Sequence, residues 1–152
     1  MAEGLSPEQE RQVAVDLFNH VWTLLGQPER TPEQNDEMIH AAHASRHHWA
    51  AVGTGANVAR GEWQVSRVYA TLGRAESALY HANRCLAYCE GRPDELDDWD
   101  LPFAYEALAR AHAIAGNHEE ARRYVERARE LGEGIADEED RDLLFIDLAP
   151  LT

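Results

Sequence analysis

Basic residues are scarce in this 152-residue chain: 14 arginines and no lysine stand against 28 acidic residues, for a formal net charge of −14. A surface this anionic repels phosphate backbones and anionic lipids, so we expect neither nucleic acid nor a membrane as a partner. No stretch approaches the ~20 apolar residues that a membrane span needs. The first residues also lack the charged and apolar regions of a signal peptide.

Cysteine is equally rare, and Cys85 and Cys89 are the two present. They lie four residues apart on a predicted helix, so their side chains share a face without meeting the geometry of a disulfide. Two buried thiols suit a reducing compartment. The sequence therefore predicts a cytoplasmic protein, of a length that fits one domain with a core of its own.

Alternating strand patterns are absent, whereas helix stops recur along the chain. Six glycines each follow a run of helical periodicity and are interpreted as left-handed caps: Gly26, Gly53, Gly73, Gly91, Gly116 and Gly132. Six stops imply seven helices, which we predict at 7–25, 32–52, 56–72, 75–90, 101–115, 118–131 and 138–147. Ser6 and Thr31, each followed by Pro-Glu-Gln, predict N-caps with capping boxes, and Asp100 is a third N-cap candidate.

An internal repeat relates residues 67–79 to residues 110–122, with equivalent glycines 43 positions apart at 73 and 116. Both stretches resemble the central turn of tetratricopeptide repeats, where an aromatic or apolar residue precedes a glycine and a small alanine follows. The matching residues are Tyr69, Gly73, Ala78 and Leu86 in the first copy, and Tyr105, Leu108, Gly116, Ala121 and Ala128 in the second. The whole chain also resembles an uncharacterised bacterial family of such repeats.

This resemblance implies an all-α fold of antiparallel helical hairpins stacked as a right-handed superhelix, in a single domain over 1–152. Its parts would be an N-terminal hairpin at 7–52, repeats at 56–90 and 101–132, and a capping helix at 137–148. Ala78 and Ala121 are then expected to be buried where helices cross. The ends of so short an array need covering, either by capping helices or by a second copy in a homodimer.

In tetratricopeptide proteins the first helix of each hairpin lines a concave groove. Transferred to this chain, the groove residues are Arg60, Trp63, Arg67, Phe103 and Arg110. Arg67 and Arg110 occupy equivalent positions and could together clamp a carboxylate or phosphate. Alternatively, each arginine pairs internally with Glu62, Glu106 or another acid. A clamp predicts that Arg67→Ala and Arg110→Ala leave the melting temperature nearly unchanged, whereas internal pairing predicts unfolding.

A histidine-rich helix is the second candidate site. His40, His43 and His47 share one face of the second predicted helix with Asp36, and imidazoles with a carboxylate can bind Zn²⁺ or another divalent metal. All four span ~16 Å along the helix, so one ion would use two of them and take further ligands from a neighbouring helix. Alternatively, this is a polar helix face with hydrogen-bonded imidazoles.

The sequence therefore predicts a binding module rather than an enzyme, without a cofactor. Its concave groove would hold a protein or peptide, with an acidic group as one feature for recognition. A metal-binding protein or metal-dependent hydrolase that uses the histidine-rich helix is the alternative.

Overall fold

The computed structural model describes residues 4–151, and this part of the chain forms seven α-helices and no strand, which confirms the predicted all-α fold. The α-helices are α1 (Pro7–Leu25), α2 (Pro32–Val52), α3 (Gly55–Thr71), α4 (Ala75–Gly91), α5 (Asp100–Ile114), α6 (His118–Gly132) and α7 (Glu138–Leu148). Short 3-10 helices occupy Pro93–Glu95 and Ala149–Leu151. Within residues 4–151, no helix combines the length and apolar character needed to cross a bilayer.

Helices α1 and α2 begin at the predicted capping boxes. The Ser6 hydroxyl accepts a hydrogen bond from the Gln9 backbone at 3.1 Å, and the Thr31 hydroxyl accepts one from Gln34 at 3.2 Å. The prediction for Asp100 was wrong, because Trp99 is the N-cap of α5 and Asp100 is its first helical residue. The Asp100 carboxylate is instead bound by Arg60, which leaves it no role as the cap.

Two of the six glycines have the predicted left-handed conformation. Gly73 (φ +74°) and Gly116 (φ +80°) occupy equivalent turns between paired helices, where a side chain would be strained. The other four have negative φ, so the prediction of left-handed caps was wrong there. Gly132 serves a different purpose, because a Cβ at this position would collide with the Leu144 side chain of α7.

Successive helices pack in pairs, α1 with α2, α3 with α4 and α5 with α6. The odd-numbered helices also contact one another in order, so that α1, α3, α5 and α7 form a continuous row. Ala78 and Ala121 are buried, as predicted, where small side chains allow the paired helices to approach closely. The row of odd-numbered helices positions the candidate site.

Candidate binding groove

A cavity of about 580 Å³, here called the groove, opens between the helices of this row. Four of the five predicted groove residues lie in its wall, namely Arg60, Trp63, Arg67 and Phe103. Arg110 lies behind the wall and binds Glu106. The remaining lining residues are Phe18 and Trp22 of α1, Ala59 of α3, Cys85 and Cys89 of α4, Trp99 and Asp100, and Asp140, Leu143 and Asp147 of α7.

Helical spacing explains why these side chains face the same space. Residues three and seven positions after a first residue return to the same face of a helix. Two triples have this spacing: Arg60, Trp63 and Arg67 in α3, and Asp140, Leu143 and Asp147 in α7. Helix α7, which the sequence analysis predicted as a capping helix, therefore forms one wall of the groove.

Five aromatic rings form a continuous strip across the groove. Ring centroids of neighbours along the strip lie 6.3, 5.4, 5.9 and 6.4 Å apart, with mostly edge-to-face geometry. Such contacts are favourable and hold each ring in place. In spatial order, this aromatic strip consists of Phe18, Trp22, Trp63, Phe103 and Trp99. It presents an apolar surface, and Trp22 is the most exposed of its five rings.

The buried carboxylate of Glu106 organises the arginines behind this strip. Glu106 is fully buried and accepts hydrogen bonds from Trp63 Nε1 at 3.0 Å and Arg110 Nε at 2.8 Å. Arg67 Nη1 lies 3.7 Å from Glu106 and 3.5 Å from Asp147. Arg67 and Arg110 thus converge on one internal carboxylate, the arrangement that the internal-pairing alternative describes.

Arg60 is also paired within the chain. Its guanidinium donates to Asp100 at 2.8 and 2.7 Å and to Asp97 at 2.9 Å, and it stacks 4.3 Å over the Trp99 ring. The hydrogen bond to Asp100 is the main reason why the pKa of Arg60 is raised despite partial burial. Arg60 therefore stays charged and fixes the loop before α5 against α3.

Two thiols complete the groove on the side of α4. Cys85 and Cys89 are both buried and free. The hydrogen bond with Cys89 and complete burial raise the pKa of Cys85 well above its ordinary value. Cys85 is therefore a neutral thiol at physiological pH, and it contributes a small apolar surface.

The predicted histidines lie elsewhere, on α2. His43 Nε2 is 2.8 Å from the Tyr69 hydroxyl, and its ring packs edge-to-face on His81. His40 is exposed, and so is His47, which packs against the ring of a neighbouring histidine. Within residues 4–151, no three His, Cys, Asp or Glu side chains are grouped so that they could hold a metal ion. Metal binding by the histidine-rich helix stays a prediction.

Behind His43 lies a polar network centred on Glu62. This buried carboxylate accepts hydrogen bonds from His81 Nδ1 at 2.6 Å and Arg46 Nε at 2.9 Å. Burial alone would raise the pKa of Glu62, but these hydrogen bonds outweigh it and the pKa is lowered. For His43, burial lowers the pKa, and His81, His40 and Arg46 add to this more than Glu62 opposes it.

The lowered pKa of His43 predicts that acid weakens the fold. Between the folded and unfolded pKa values the unfolded chain binds more protons, so stability falls as pH drops below about 6.5. We expect the free energy of unfolding, from urea titrations between pH 7.5 and 5.5, to decrease with acid. His43→Gln, which keeps a partner for Tyr69, should reduce that decrease. An identical pH profile in wild type and variant would contradict this prediction.

Comparison with known proteins finds no family model that matches the chain, and no match among curated proteins or solved structures. The tetratricopeptide resemblance therefore stays a prediction from the repeated turn.

Sequence reasoning missed a large part of the groove wall. Phe18 and Trp22 lie in α1, outside the two recognised repeats, and Trp99 lies in the loop before α5. A signal was present, because Phe18 and Trp22 are four residues apart and share one helix face. Asp140 and Asp147 carry the same signal on α7, seven residues apart.

Proposed function

We propose that this protein is a non-enzymatic binding module that holds a peptide segment of a partner protein in the groove. The aromatic strip is the observation that supports this most directly. Large, preorganised aromatic side chains are the residues most often found as binding hot spots. The groove volume of about 580 Å³ falls within the range of small-ligand sites, so it suits one or two side chains of a bound segment.

The groove differs from an ordinary hydrophobic core because some of its apolar side chains are exposed to solvent. Trp22 of the aromatic strip is 38 % exposed, and Leu143 of α7 is 52 % exposed. Apolar side chains at the mouth of a cavity lose water when a partner covers them, which favours binding. The proposal places the protein in the cytoplasm, which two buried, unpaired thiols support.

A random-peptide display selection on the immobilised chain would test this proposal. We expect enriched peptides that bind wild type and lose about thirtyfold in affinity against Trp22→Ala, the loss typical of a hot-spot tryptophan. Tyr80→Ala is the matched control, because Tyr80 is a 61 % exposed aromatic outside the groove. Binding that Trp22→Ala leaves unchanged, or a selection without enrichment, would refute the groove as the binding site.

A further inference from the structure

The charges around the groove have an excess of carboxylates. Three arginines lie in or directly behind its wall, at 60, 67 and 110, and all three have acidic partners within the chain. Five carboxylates surround the same space: Asp97, Asp100, Glu106, Asp140 and Asp147. An acidic ligand would have to compete with hydrogen-bonded internal partners for Arg60 and Arg110, and with two nearby carboxylates for Arg67.

Among the described residues, one carboxylate, that of Asp140, has no partner, and a second, that of Asp147, has only a long ion pair with Arg67. Asp140 lines the groove, and within residues 4–151 its side chain has neither a hydrogen-bond donor nor an ion-pair partner. Asp147 approaches Arg67 at 3.5 Å without a hydrogen bond between them. Seven residues on α7 separate the two acids by ~10 Å, and Leu143 lies on the same face between them.

The aromatic strip favours cations as well. Arg60 already lies 4.3 Å over the Trp99 ring, and Arg67 lies 5.9 Å over the Trp63 ring. Ring faces attract ammonium and guanidinium groups, with tryptophan the strongest. Trp22 is more exposed than the other tryptophan rings of the strip. The net charge of −14 adds a long-range field that attracts positive segments.

We propose that the peptide held in the groove inserts a lysine or arginine side chain, which the aromatic strip and the carboxylates of Asp140 and Asp147 recognise together. The aliphatic stem would lie along the rings, and the charged end would reach α7. An apolar neighbour in the peptide would cover Leu143. This inference rests on the proposed function and assigns the sign of the ligand charge, which is opposite to the acidic group that the arginine clamp suggested.

The sequences of the selected peptides give the first test. Peptides whose binding depends on Trp22 should share a lysine or arginine next to an apolar residue. If they share aspartate or glutamate, the groove function stands and the charge inference is overturned. If no peptide depends on Trp22, the groove function fails and the inference fails with it.

Charge removal on α7 gives a second test with the selected peptides. The double variant Asp140→Asn, Asp147→Asn should weaken binding about tenfold or more, because it removes charge-assisted contacts. Glu139→Gln, Asp142→Asn is the matched control, since it removes two exposed carboxylates from the same helix outside the groove. Equal losses in the two variants would assign the effect to net charge and overturn the specific site.

The absence of lysine from the chain allows a direct localisation. A carbodiimide joins a carboxylate to an amine with loss of water, so any amide to a lysine side chain must involve the peptide's own lysine. Mass spectrometry of a cross-linked lysine peptide should identify Asp140 or Asp147. Cross-links confined to other acids would overturn the inference.

Light scattering tests whether a second copy of the chain occupies the groove. A dimeric wild type together with a monomeric Trp22→Ala variant would show that it does, and would overturn the inference.

Discussion

Glu106→Ala is expected to lower the free energy of unfolding by about 3 kcal/mol, which corresponds to a fall in melting temperature on the order of 10 °C. The Glu106 side chain is 1 % exposed and is the common acceptor for Trp63 and Arg110. Its removal leaves an indole N–H and the partly buried Arg110 guanidinium without their main partner, and it removes one of two ion pairs of Arg67. Urea denaturation at neutral pH measures the loss, and a change below about 1 kcal/mol would contradict the central role of this carboxylate.

The two arginines around Glu106 should differ from each other. Arg110→Ala removes hydrogen bonds and leaves a fully buried carboxylate with little compensation, so we expect a loss of about 3–5 kcal/mol. Arg67→Ala removes only longer-range ion pairs, at 3.5 and 3.7 Å, and should cost about 1 kcal/mol or less. The sequence suggested that both substitutions would behave alike, but the structure gives the two guanidinium groups different geometry.

A combined substitution separates the loss of a favourable pair from the cost of an unpaired charge. Glu106→Leu with Arg110→Met replaces both partners by apolar groups of similar volume. Because most of the cost of a broken buried pair comes from the charge left behind, the double variant should be more stable than Arg110→Ala alone. A double variant as unstable as the single one would show that packing, and not charge, dominates this site.

Helix positions were predictable because local chemistry determines them. Ser6 and Thr31 start helices through hydrogen bonds to residues three positions later, and such caps can be recognised from the sequence. The turns at Gly73 and Gly116 need positive φ, which glycine adopts without strain. Asp100 was mistaken for a cap because its partner, Arg60, lies 40 residues away in sequence. Only the tertiary structure shows that Arg60 binds the Asp100 carboxylate.

The groove was predictable only in part, for the same physical reason. The repeat placed Arg60, Trp63, Arg67 and Phe103 on a shared surface, and these four residues do line the groove. Which charges remain free depends on how α5 and α7 are placed relative to α3, and no local pattern reports that placement. The shift of emphasis from the arginines to Asp140 and the aromatic strip follows from contacts between helices.

Leu144→Ala is expected to cost about 2–5 kcal/mol and to disrupt the groove as well. Leu144 is fully buried in a cluster with Val125, Ala128 and Ile135, where it packs closely against Gly132. It anchors α7, whose adjoining face supplies the groove carboxylates. Removing three carbon atoms there leaves a cavity that the surrounding helices can fill only partly.

Two readouts distinguish a general loss of stability from release of α7. Urea denaturation should show the loss for Leu144→Ala, whereas Ile146→Ala, at a 67 % exposed position of the same helix, should change stability by less than about 0.5 kcal/mol. Under conditions where both variants remain folded, amide hydrogen exchange should accelerate in α7 of Leu144→Ala more than in α3.

The affinity of Leu144→Ala for the selected peptides should fall as α7 opens, because Asp140 and Asp147 no longer face the aromatic strip. If amide exchange in α7 of Leu144→Ala is faster but peptide affinity is unchanged, α7 does not form part of the binding site.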